Sequence, residues 1–181
     1  DPVILHSGEF VHTATPLRIP GRGLDYVFRL SYHSQPVYDG PVGWGWEHNY
    51  DRRIVDAGGG SLALKEGAGR FDVYSFDGTN FTPPAGRYTT LVADPTGITL
   101  THRHGQVETF FPLDHATAPG ALKSTADRNG NALTFAYDAQ GRLSTVTDTL
   151  GRVIMYGYNA EGRVSAVTDF SGRVVSLAYD G

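Results

Sequence analysis

The chain has 181 residues, of which 40% are hydrophobic and 19% charged, with a formal net charge of -4. This is the composition of a folding chain, and its mild acidity gives no general attraction for nucleic acid. There is no cysteine, which excludes disulfides and thiolate chemistry, and no run approaching ~18 apolar residues that would make a transmembrane helix.

Twenty-three glycines, ten prolines and nineteen Tyr plus Phe favour many short strands joined by tight turns. Pro16 and Pro20 oppose a helix in the run that they flank. From Asp25 to Tyr32 the residues alternate, with Tyr26, Phe28, Leu30 and Tyr32 on one face, which predicts a strand with an aromatic face. Trp46 to Ile54 reads as extended, and Gly58, Gly59 and Gly60 as a turn or bulge. "SLALKEG" and "RFDVYSFDG" pair as a hairpin, closed beyond by a turn at Asp77 and Gly78. The runs "TTLV", "ITLTHR" and "VETFFPL" have strand length. His115 to Ala118 is the one helical candidate. The chain opens without Met or a signal pattern and stops inside its own repeat, so it reads as a piece of something longer.

That repeat has a period of 21 residues. Its columns are Gly120, Gly141 and Gly162; Asp127, Asp148 and Asp169; Gly130, Gly151 and Gly172; and Tyr137, Tyr158 and Tyr179. Each unit reads as two strands whose turns take positive φ at glycine and are held by an Asp or Asn side chain. A hairpin of this size is marginal alone, and stacking side by side stabilises it. Asp138, Arg142, Arg152, Arg163 and Arg173 sit at the turns. They are read as turn and rim salt bridges in preference to a ladder for polyanions. Residues 121–181 carry six positive and six negative side chains, so they do not attract phosphate backbones. Ile154, Tyr156 and Tyr158 alternate with Val153, Met155 and Gly157, and the apolar character of both sets suggests that each face is at least partly covered.

Candidate chemistry is sparse. His102 and His104, at i and i+2 in "THRHG", would share a strand face and are weak zinc candidates. His6, His12, His33, His48 and His115 are scattered and supply no third ligand. "GWGWEHNYD" gathers Trp44, Trp46, His48 and Tyr50 into a candidate ligand-binding surface of the kind that holds sugars. No paired carboxylates, triad, phosphate loop or zinc-protease motif accompany it, so no catalytic residue and no cofactor is expected.

"YDAQGRLSTVTDTLGR", "YNAEGRVSAVTDFSGR" and "DRNGNALTFAYDAQGRL" resemble the YD repeats, also called RHS repeats. "DPV" at Asp1 to Val3, "LDYVFRLSYHS" and "GPVGWGWEHNYDRRI" resemble the domain that precedes such repeats. The resemblance is closest in the repeats and at Gly40 to Asp51. It implies an all-β chain, with a β-rich N-terminal domain over 1–118 similar to a plug, and YD repeats over 119–181 forming an open antiparallel sheet. It further implies a scaffold: the initial part of a shell that encloses a C-terminal toxin domain in a secreted or cell-surface protein. Expected partners are further YD repeats and that toxin domain, with self-association through the open sheet edge. The alternative is a module that binds a surface glycan. The aspartyl-protease-like motif of self-cleaving members has no match here.

Overall fold

The computed structural model describes residues 3–4, 7–35, 37–67 and 69–180. Asp1, Pro2, His6 and Gly181 therefore lie outside the described residues. The fold is all-β, with no helix among the described residues. One four-stranded antiparallel sheet contains β1 (Val3–Ile4), β2 (Glu9–Ile19), β3 (Tyr26–His33) and β6 (Trp46–His48), in that spatial order. Between β3 and β6 lies a small ribbon, β4 (Asp39–Gly40) with β5 (Gly43–Trp44). A second four-stranded sheet runs through β7 (Arg53–Gly58), β8 (Ser61–Lys65), β9 (Phe71–Phe76) and β10 (Phe81–Thr82).

The third sheet is the largest. Its nine strands follow one another in chain order: β11 (Thr89–Asp94), β12 (Gly97–His102), β13 (Val107–Phe110), β14 (Leu122–Ala126), β15 (Ala132–Tyr137), β16 (Leu143–Thr147), β17 (Val153–Tyr158), β18 (Val164–Thr168) and β19 (Val174–Ser176). Its hydrogen-bonded ladder is continuous from Thr89, well before the repeats begin. Bulges recur where Lys123, Ser144 and Ser165 are inserted, in step with the 21-residue period. Each bulge turns residues three apart to the same side. Leu143 with Val146, and Val164 with Val167, are therefore buried together.

Three local expectations are corrected. The segment Trp46 to Ile54 is broken: Asn49 to Asp51 turn between β6 and β7, with the Asp51 N–H donating to the His48 carbonyl at 3.0 Å. His115 to Ala118 is not a helix. The His115 ring accepts the Ala118 N–H at 3.0 Å and the Thr117 N–H at 3.4 Å, so a side chain satisfies groups a helix would need. Only one face of the repeat sheet is covered. Ile154 and Tyr156 are buried, whereas Val153 and Met155 are 39% and 52% exposed. The outer face is carried by Thr99, Thr109, Ser124, Thr134 and Thr147, which lie in one transverse row across the sheet. Their hydroxyls tolerate water, although the row runs on at its ends into exposed Val92 and Val153.

The inner face is closed by the first sheet, and one apolar core runs through both. Phe28 meets the Tyr156 ring edge-on at 5.9 Å, and Tyr50 lies 5.1 Å from Phe135. At the centre the hydroxyls of Tyr26 and Tyr156 hydrogen-bond at 2.7 Å, satisfying two buried polar atoms with each other. The expected aromatic face of β3 is this contact: Tyr26 and Phe28 are fully buried. The second sheet joins by its backbone. Ile54 N–H donates to the Gly120 carbonyl at 2.8 Å, and Leu122 N–H to the Arg52 carbonyl at 3.2 Å. A partly buried ionic chain follows the same seam. Arg52 spans Glu66 and Glu108, and Arg87 spans Glu66 and Asp72.

Candidate functional site

The repeated residues build turns. Asp138, Asp148 and Asp169 each accept, through Oδ1, the backbone N–H groups two and four residues ahead at 2.9–3.0 Å. Asp127 does the same for Asn129 and Asn131. Gly130, Gly141, Gly151, Gly162 and Gly172 then donate their N–H groups back to the first residue of each turn. The second carboxylate oxygen takes an arginine fork: Arg142 on Asp138, Arg152 on Asp148 and Arg173 on Asp169. Hydrogen bonds from the Ser171 hydroxyl, its backbone and Arg173 hold the Asp169 carboxyl down to about 2. Arg142 and Arg173 form ion pairs only within their own turns, while Arg152 also donates to the Pro20 carbonyl at 2.6 Å.

Arg163 is different, because its turn begins with Asn159, which carries no charge. Asn159 still accepts the Arg163 backbone N–H at 2.8 Å. The guanidinium instead reaches Asp39 on β4 at 3.3 Å. Beside it, the Val164 N–H donates to the Pro41 carbonyl at 2.7 Å. One charge lost from the repeat thus fastens the N-terminal ribbon to the third hairpin.

The tyrosine column is also constructional. Tyr137, Tyr158 and Tyr179 donate their hydroxyls to the carbonyls of Leu122, Leu143 and Val164 at 2.6–2.7 Å, always fifteen residues back. Arg142 stacks over the Tyr158 ring at 4.4 Å, and Arg163 over Tyr179 at 5.5 Å. Burial pushes the Tyr137 and Tyr158 hydroxyls well above the usual phenol range, so they stay protonated as donors.

The aromatic cluster from Trp44 to Tyr50 is divided by the fold. Trp44 is 58% exposed and borders a groove of about 470 Å³ with Val42, Trp46, Arg163 and Tyr179. Trp46 is half-buried, 5.3 Å from the Tyr32 ring and 6.1 Å from the His12 ring. His48 and Tyr50 are core residues, 4% and 7% exposed. Tyr50 accepts the Val27 N–H at 3.0 Å, and His48 Nδ1 accepts the Tyr50 N–H at 3.2 Å. Burial holds His48 down to about 4, with the nearby Asp51 opposing that shift and Lys65 adding to it. His48 and Tyr50 therefore do not share the groove with the tryptophans. Strand alternation would put these evenly spaced residues on one face; Gly45 at φ 70° and the turn after His48 break that alternation.

His102 and His104 do not share a strand face. β12 ends at His102, and the turn that follows contains His104 and Gly105, the latter at φ 82°. His102 Nε2 lies 3.1 Å from the Glu108 carboxylate, joining the ionic chain. Among the described residues no three His, Asp or Glu side chains cluster to hold a metal ion.

Sequence reading passed over the polar groups around Asp51. Tyr38 donates its hydroxyl to Asp51, and Lys65 Nζ lies 2.6 Å from both the Asp51 carboxylate and the Tyr38 oxygen. Burial pushes the Asp51 carboxyl up, but His48, Lys65 and Tyr38 outweigh it and hold it below the ordinary range. Their partners lie far apart in sequence, and no local spacing announces them.

Comparison with known families adds two matches. Residues 1–74 match a model described as a domain of unknown function (DUF6531), and residues 120–153 match the RHS Repeat. No curated protein matches the chain.

Proposed function

The chain belongs to the RHS, or YD-repeat, family, and on that premise we propose that it is a section of an encapsulating β-shell, a scaffold and not an enzyme. The supporting observation is the relation of its two parts. Hairpins add side by side through turns of one pattern, the N-terminal sheet seals their inner face through Tyr26 and Phe28, and the Asp39–Arg163 pair ties on the β4 ribbon. A wall section with a plug against one face would be built in this way. β19 pairs only with β18 among the described residues, which leaves an edge for further hairpins or for a second copy. The shell's cargo is a toxic C-terminal domain, and the protein is secreted or held at the cell surface. Electron microscopy of the full-length gene product tests this reading. A closed shell with a protease-resistant domain inside is expected; an open sheet enclosing nothing would refute it.

Exposed Trp44 beside its groove favours a second role, contact with a surface glycan. Glycan-array binding by the chain, lost in Trp44→Ala, is the expected result. Equal binding by the variant would remove Trp44 from that role.

A further inference from the structure

Between the turn that follows β6 and the ends of β15 and β17 lies a cleft of about 170 Å³, whose lining includes His48, Asp51, Arg53, Tyr137, Arg142 and Tyr158. Its charges are matched with one exception. Asp51 is neutralised by Lys65, Arg142 by Asp138, and the adjacent Arg52 by Glu66 and Glu108. Arg53 is the one arginine that is part-buried and makes no side-chain hydrogen bond, ion pair or ring contact among the described residues. A guanidinium that has lost part of its water without gaining a partner favours an anion beside it.

Further donors lie nearby. His48 Nδ1 is an acceptor, so its Nε2 carries the proton, and no described group accepts it. The buried Arg52 Nε–H also lacks an acceptor. By contrast, the Tyr137 and Tyr158 hydroxyls have given their protons to backbone carbonyls, and present only lone pairs. Those lone pairs, with the Asp51 carboxylate, oppose a multiply charged anion. They suit a ligand with one negative charge and an N–H or O–H next to it. The volume is that of about six waters, enough for a small acid or an acidic side chain.

We propose that this cleft receives a single carboxylate, gripped bidentately by Arg53 with His48 Nε2–H as second donor, while Tyr137 and Tyr158 accept from the ligand's neighbouring donor. This assignment is independent of the shell reading. The carboxylate comes either from a free acid or from an Asp or Glu side chain of a peptide.

Nitrogen-15 NMR at constant ionic strength tests it, with acetate, N-acetyl-aspartate N-methylamide and inorganic phosphate as probes. Saturable shifts at the Arg53 Nε–H and the amides of Ala121 and Leu143 are expected with the carboxylates. Tighter binding of acetate indicates a free acid, and tighter binding of the aspartyl compound a side chain; both support the site. Arg53→Met should weaken either at least tenfold, with unchanged spectra elsewhere showing that the variant folds. Arg53→Lys keeps the charge without the fork and should bind with intermediate affinity. Absence of saturable shifts, phosphate binding as tightly as the carboxylates, or unaltered affinity in both variants would overturn the proposal.

Discussion

Gly120→Ala is expected to destabilise the protein by about 4 kcal/mol or more, whereas Gly162→Ala, in the same column of the repeat, costs only about 1 kcal/mol. Both glycines have positive φ, 64° and 80°. Any L-residue there pays the left-handed penalty. The surroundings make the difference. A Cβ on Gly120 would lie 2.0 Å from the Ile54 carbonyl oxygen, a backbone atom that cannot turn aside. Relieving that clash pulls apart the Ile54–Gly120 and Leu122–Arg52 hydrogen bonds, which are the seam between the second and third sheets. A Cβ on Gly162 meets only Arg142, at 3.9 Å. Gly141 is intermediate: a Cβ there would stand 2.5 Å from the Thr117 carbonyl oxygen, which lies in a loop outside the strand ladders. Urea unfolding of the three alanine variants should rank them Gly120, Gly141, Gly162 in decreasing loss. Equal losses would show that the shared turn conformation, and not the seam, sets the cost.

The second large effect is on pH. His48 is held down to about 4 by burial, while in the unfolded chain it titrates near 6.5. Between these values the unfolded chain binds a proton that the folded chain refuses. Stability is therefore full above about pH 6.5 and is lost as pH falls towards 4, by about 3 kcal/mol in all. The loss from this group then levels off, since below that point both states are protonated. The turn carboxylates act in a lower window. Asp127, Asp138, Asp148 and Asp169 have depressed values, so their contribution is present above the ordinary carboxylate range and falls away only below it. His48→Phe keeps an aromatic ring beside Phe28 and Tyr156 and should flatten the change between pH 7 and 4.5 while leaving the decline at lower pH. Denaturant midpoints across pH for the two proteins measure this; parallel curves would contradict it.

What sequence made legible was local. The aspartates and glycines of the turns could be read from their period, because an Asx turn needs nothing beyond five consecutive residues. The aromatic face of β3 followed from simple alternation. The bulges at Lys123, Ser144 and Ser165 were not legible in that way. They interrupt alternation, and their trace is an apolar pair three residues apart, as at Leu143 and Val146. Nor did spacing place His48 and Tyr50 in the core, since which side of a strand is buried depends on the sheet that later covers it. Arg163 sits in the same column as Arg142, but its partner, Asp39, is 124 residues away. Arg53 lies within "GPVGWGWEHNYDRRI", but nothing in that stretch distinguishes it from the paired Arg52 beside it. Its interest lies in lacking a partner, which only the assembled surroundings reveal.

The order in which the strands emerge has a kinetic consequence. Every ladder in the nine-stranded sheet joins chain neighbours, so each new strand has a template as soon as it is synthesised. The first sheet also pairs chain neighbours, from β1 to β3, but the cover for its aromatic face comes much later. Tyr26 waits for Tyr156, 130 residues later. At ordinary rates of translation that interval is on the order of 10 s. Throughout it the aromatic side of β3 is exposed on the nascent chain, and it is during this interval that the protein is most open to mispairing with other unfinished chains.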